Sequence, residues 1–331
     1  MSTIDVHSHV LPDIYLNALQ KAGITNIDGF STPDWSVEDH LKMMDSHKIQ
    51  ACVLSLSSPG LEFAEPGLAA ELARTINILF SEIICDNPAR FGAFALLPLP
   101  NVEAALQEID YALDVLKLDG VGLFTNYGGV YLGDPRFAPV LDELHRRRAV
   151  AFVHPTTPAG SDRLTLGYPA PMLEYPFDTT RMAVSLLDTD TIERCSHVRF
   201  IFSHGGGALP LLVPRIGPLM VAKNGGNKLS ALINIMRVER QVKSCFFDLT
   251  AATSPAYLAA LKETHDPSRL LMGFDFPFMP PVSIGRAKDG VSDFEGFSEQ
   301  EKSAIDQTNA EKLFPRLIKA IEQASRSAAD R

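Results

Sequence analysis

Residues 4–10 read IDVHSHV, an apolar, β-branched run that ends by placing His7 and His9 one residue apart. Side chains at i and i+2 of a strand leave the same face. A strand here therefore sends both imidazoles one way, the geometry a chelate needs. Taken alone the pair is a weak signal, because a lone buried histidine is more often a satisfied core residue than a ligand. The rest of the chain supplies the weight.

Seven further runs of the same kind follow: QACVLSLS (50–57), FGAFALLPL (91–99), GVGLFTN (120–126), AVAFVHP (149–155), VRFIFSHGG (198–206), SCFFDLT (244–250) and LLMGFDFP (270–277). Each is rich in β-branched or aromatic residues, as buried parallel strands are. Helical patterns lie between them. Val37, Leu41 and Met44 recur at helical spacing behind Ser36 as N-cap, and Val102, Leu106, Ile109, Leu113 and Leu116 do the same. DPRFAPVLDELHRR and SPAYLAALKETH read alike. Eight strands alternating with helices predict a (β/α)8 barrel, with a doubly wound open sheet as the alternative. The chain reads as a single domain over 1–331. Longer loop insertions at about 10–35 and 156–190 are expected to shape the face where the strands end.

Composition narrows the function. A formal charge of -10 argues against nucleic acid as a partner. The basic run His145–Arg148 reads as a solvated helix end. SHGGGALP lacks the spacing of a phosphate-binding or dinucleotide loop. No run is apolar over the roughly 18 residues a membrane span needs, and no leader pattern is present. Four cysteines without a CxxC pair read as reduced thiols. A soluble, cytoplasmic protein is expected.

The polar residues that interrupt the apolar runs fall late in them: His7 and His9 in run 1, His154 in run 5, His204 in run 6 and Asp275 in run 8. In a barrel these ends converge on one face. Imidazoles with a carboxylate suit one divalent ion, Zn2+ or Mn2+. Asp248 ends run 7 and reads equally well as a structural residue or as a support for a ligand. His47, His145, His197 and His265 read as surface residues.

DVHSH, FVHP, FSHGGG and GFDFP, in this order, resemble the amidohydrolase superfamily, and within it the aminocarboxymuconate-semialdehyde decarboxylase group. The segment DGFSTPDWSVEDHLKMMDSHKIQACVLSLSSPG (28–60) is most similar to the 6-methylsalicylate decarboxylase-like branch. The resemblance implies a TIM barrel of the metal-dependent amidohydrolase type. It implies one metal ion on His7, His9, His154 and Asp275, with Zn2+ first and Mn2+ second, and His204 as the catalytic histidine beside it. Arg215, eleven residues after His204, matches an arginine that reaches a neighbouring subunit's substrate carboxylate. That implies a homodimer or homotetramer. His40 stands where the group often has a substrate-binding arginine, which fits a mono-acid better than a diacid.

The activity implied is non-oxidative decarboxylation of a small aromatic acid, an ortho-hydroxybenzoate such as 6-methylsalicylate, giving CO2 and a phenol. In that chemistry Asp275 is the candidate acid for the ring carbon, and Phe274 and Phe276 would exclude water. The alternative is a mononuclear hydrolase of a lactone or amide. Run 4, GVGLFTN, offers no lysine or carboxylate to bridge a second metal.

Overall fold

A computed structural model describes residues 3–163, 167–223 and 228–329. Every apolar run forms a strand: β1 (Thr3–Val10), β2 (Ile49–Leu56), β3 (Phe91–Leu96), β4 (Gly120–Phe124), β5 (Val150–His154), β6 (Arg199–Phe202), β7 (Phe246–Asp248) and β8 (Leu270–Leu271). They form one parallel sheet whose spatial order is the sequence order. An open doubly wound sheet would reverse its strand order partway, so the barrel is correct. The seam closes where the chain beyond β8 meets β1. Val6 N–H donates to Met272 O (3.0 Å), Asp275 N–H to His7 O (2.7 Å) and His9 N–H to Phe276 O (2.7 Å).

Ile4, Val6, Ala51, Val53, Phe94, Phe152, Ile201 and Leu271 fill the barrel interior. Phe314 caps this core edge-on to Phe94, and Thr3 Oγ1 donates to Asp306 at the same N-terminal mouth. The histidines enter above this layer through an irregularity in β1. Asp5 pairs with Cys52 and Ser8 with Leu54, three steps on β1 against two on β2. The extra residue is a β-bulge. Strict alternation would put His7 and His9 on the face opposite Ile4 and Val6; the bulge turns them inward. It also frees the His7 N–H from the ladder, and Asp5 receives it on Oδ1 (2.9 Å) while its Oδ2 accepts from Ser8 Oγ (2.7 Å). A third bond, from Phe274 N–H (3.2 Å), ties the same carboxylate to the segment after β8. Burial outweighs these bonds and lifts the Asp5 carboxyl to about 7.

The predicted helices form, with differences at their ends. Val37–Ser46 is capped as expected, Asp39 N–H donating to Ser36 Oγ (3.0 Å). Val102–Asp110 runs on into a π turn at Tyr111–Val115. The stretch 10–35 holds a helix, Asp13–Lys21, and a small hairpin, Asn26–Ile27 with Phe30–Ser31. The stretch 156–190 is mostly the helix Ala170–Asp188; residues 164–166 lie outside those described. Cys52, Cys195 and Cys245 are buried free thiols and Cys85 is exposed. His265 is not a surface residue: it is buried, stacks on Phe247 at 4.1 Å and bonds Cys245 O through Nε2 (2.9 Å). Burial pushes it down to about 4, so it sits there neutral. In the basic run, Arg147 is gathered in by Asp110, Asp114 and Glu143 rather than left to solvent.

Candidate active site

The ends of β1 and β5 and the segment that follows β8 bring four side chains together. One donor atom from each of His7, His9, His154 and Asp275 lies within 4.8 Å of every other. His7 Nε2 is 3.1 Å from His9 Nε2, and Asp275 Oδ1 is 3.1 Å from His9 Nε2 and 3.6 Å from His7 Nε2.

The far side of each ring sets its tautomer. His154 Nδ1 lies 2.7 Å from Pro155 O; a carbonyl only accepts, so the proton is on Nδ1. His9 Nδ1 lies 3.0 Å from Ser55 Oγ, whose own proton goes to Ser8 O, so His9 Nδ1–H is again the donor. His7 Nδ1 faces Asp248 Oδ2 at 3.0 Å. Three Nε2 atoms and a carboxylate oxygen therefore converge, each imidazole turned so that its Nε2 faces the others. Burial holds His9 and His154 below their ordinary range, hence neutral. Burial works against charge on His7 too, but Asp248 and Asp275 outweigh it and raise it to about 9, so a metal ion would take the place of a proton on its Nε2.

With a proton on His7 Nε2 the 3.1 Å contact to His9 Nε2 is a hydrogen bond; with both rings neutral the two lone pairs repel unless they share a cation. Two ligands each about 2.05 Å from one ion at a tetrahedral angle sit about 3.3 Å apart, close to the separations seen. The set fits one divalent metal ion.

His204 stands beside this group, not in it. Its Nε2 is 3.9 Å from Asp275 Oδ2, and its buried Nδ1 has no partner. Asp248 holds both neighbours: Oδ2 takes the His7 ring, and Oδ1 takes the backbone N–H of His204 (3.2 Å) and of Thr250 (2.9 Å). His204 and Asp275 adopt φ of 54° and 58°, sparsely populated conformations that cluster at functional sites. Burial alone would raise the Asp275 carboxyl, but His204, His9 and His7 outweigh it and hold it well below the usual carboxylate range.

A cleft of about 490 Å³ opens over this base. Its inner wall carries His154, Asp275, Ser57 and Tyr175; its mouth carries Ile27, Phe30, Pro33, Met172, Phe278 and Met279. None of the described residues lining it is a lysine or arginine. Phe278, edge-on to His9, takes the place expected of Phe274 and Phe276. Phe274 is buried in the core and Phe276 packs on His40; neither lines the cleft. His40 is fully buried, accepts from Trp35 Nε1–H on Nδ1 (3.1 Å) and leaves Nε2 without a partner. Burial presses it down to about 3, so it brings no charge, and it does not line the cleft. Arg215 is exposed on the helix Leu209–Lys223, away from the lining of its own cleft.

Several contributors went unread in the sequence. Asp5 and Ser55 hold His7 and His9 from behind. Tyr175, edge-on to His154, donates to Asp28, which also accepts from Thr157 Oγ1 and so fastens the small hairpin to the cleft wall. Only Asp5 had a local signal, a carboxylate two residues before a strand-end histidine. Asp5→Ala removes the acceptor that organises the bulge. It is expected to weaken metal binding about 10- to 100-fold, read by competition against a chelating dye.

A family model for amidohydrolases matches residues 4–316. The chain belongs to the amidohydrolase family. A protein of Aspergillus niger named decarboxylase yanB is 38% identical over 96% of this chain and 88% of its own length. The 6-methylsalicylic acid decarboxylase of Penicillium expansum is 35% identical over 98% of this chain and 99% of its own. Among solved structures, one named amidohydrolase II superposes with a TM-score of 0.87 at 28% identity, covering 94% of this chain and 99% of that one. Among the described residues no helix is long and apolar enough to cross a membrane.

Proposed function

We propose that this protein is a carboxy-lyase: a metal-dependent, non-oxidative decarboxylase of an ortho-hydroxybenzoate, with 6-methylsalicylate the first candidate. The observation that carries this is the cleft. Converging imidazole nitrogens and one ionised carboxylate form its floor, apolar side chains form its mouth, and no cationic side chain among the described residues lines it. Within one subunit a mono-acid can be held there only through the floor. The named activities of the yanB protein and the 6-methylsalicylic acid decarboxylase, similar over nearly the whole chain, support the same reading over a lactone or amide hydrolase.

Losing CO2 directly from an aryl carboxylate leaves an anion in the ring plane with no electron sink. Protonating the carbon that bears the carboxylate first avoids it. A divalent ion on His7, His9, His154 and Asp275 would supply a Lewis acid and template for the carboxylate and the ortho oxygen; Zn2+ suits this set, with Mn2+ the alternative. Asp275 is ionised at rest, so it must take up a proton before it can give one. His204 Nε2 stands 3.9 Å from its Oδ2, beyond direct hydrogen-bond reach, and this supports His204 as the group that relays that proton through one water or once the bound substrate tightens the contact. Phe278, Met279 and Tyr175 wall the ring in and exclude water, strengthening the electrostatics at the floor. Incubating metal-loaded protein with 6-methylsalicylate, salicylate and dihydroxybenzoates should release CO2 from at least one; release from none would overturn the reading.

Arg215 lies on the helix that also exposes Leu211 and Leu219, and the next helix exposes Leu232, Ile233 and Met236. This apolar face supports a homodimer or homotetramer in which Arg215 serves the neighbouring cleft. Mixing two individually inactive variants, Arg215→Ala and His9→Ala, should restore up to about a quarter of wild-type activity, since a mixed dimer keeps one intact site. No recovery would place Arg215 outside the reaction. The free cysteines fit a reducing, cytoplasmic setting.

A further inference from the structure

The cleft is larger than a methylsalicylate requires. A cavity of about 150 Å³ holds benzene; this one measures about 490 Å³. The surplus lies toward the mouth, where Phe30 is 46% and Met172 61% exposed, while His154 at the floor is 2% exposed. Ile27, Pro33, Phe278, Met279 and the hydroxyl of Ser31 complete the mouth, so no charged side chain among this subunit's described residues meets a second carboxylate there. When the carboxylate and ortho oxygen of a 2-hydroxybenzoate face the floor, ring positions 4 and 5 face the mouth.

We infer that the cleft takes 2-hydroxybenzoates bearing an alkyl chain of about three to five carbons at ring position 4 or 5, in preference to the bare ring; this rests on the decarboxylase reading above. A chain leaving the ring there lies across Phe30 and Met172 and takes their exposed apolar surface out of water. Met172 and Met279, unbranched and adaptable, accommodate chains of different length. A carboxyl group at the same ring position gives up part of its hydration against apolar side chains and meets only the Ser31 hydroxyl, with no lysine or arginine among the described lining residues of this subunit.

The test is a steady-state series of 5-methyl-, 5-propyl- and 5-pentyl-2-hydroxybenzoate, with 6-methylsalicylate and 5-carboxy-2-hydroxybenzoate alongside. Each added methylene contributes binding shared by ground and transition states, so KM should fall about two- to fourfold per methylene with kcat unchanged. The 5-carboxy compound should lose about a hundredfold in kcat/KM. The double variant Phe30→Ser/Met172→Ser should flatten the dependence on chain length. A KM that stays level or rises along the series while 6-methylsalicylate is turned over overturns the inference and leaves the function standing. Loss of turnover on every compound, 6-methylsalicylate included, overturns the function and the inference with it.

Discussion

His9→Ala yields a folded barrel that has lost its metal ion and at least about a thousandfold in kcat/KM. His9 Nε2 sits 3.1 Å from both His7 Nε2 and Asp275 Oδ1, closer to the other donors than a peripheral ligand would be. Removing it leaves two imidazoles and a carboxylate, too few for tight four-coordinate binding. The fold should survive, because the barrel core below the site is a separate layer led by Ile4, Val6 and Phe152. Truncation also removes one of two Nε2 atoms that face each other. Metal content by mass spectrometry, far-ultraviolet circular dichroism and CO2 release read the three quantities separately. A variant that keeps a full equivalent of metal would show His9 is not a ligand.

Asp275→Asn should cost as much activity by a different route. Asparagine keeps the shape and tolerates the φ of 58° at this position, so the backbone that closes the barrel seam is undisturbed. What goes is the charge that His7, His9 and His204 surround, and with it the capacity to carry a proton. Metal affinity should fall. Saturating metal should refill the Asn variant yet leave kcat down about a thousandfold or more, because an amide cannot take up and return the proton. His9→Ala, by contrast, should regain part of its activity at high metal. Recovery of the Asn variant to near wild-type kcat would reduce Asp275 to a ligand alone.

The eight strands and the five polar strand-end residues were legible because each apolar run is buried on both faces, so a histidine or aspartate late in one stands out. The inward turn of His7 and His9 was not legible, since it depends on a bulge that strand periodicity does not announce. Phe274 and Phe276, expected from the sequence to exclude water, do not line the cleft. The strand stops at Leu271, and the chain then turns so that Phe278 and Met279 meet the cleft. Tyr175 and Asp28 act together across 147 residues of sequence, a contact only the folded barrel creates. His265 and His40 show the converse: histidines on helical segments that tertiary packing buried among aromatic rings.

The bulge held by Asp5 splits β1 into two phases. Below it the strand keeps the alternation that the barrel's packing demands; above it the strand follows the parity that brings His7 and His9 to the cleft floor. The floor of the site is thereby uncoupled from the register of the scaffold. Substitutions that repack Ile4 and Val6 need not steer the imidazoles, whereas straightening the bulge with Val6 in place would send both histidines out of the barrel without touching either of them.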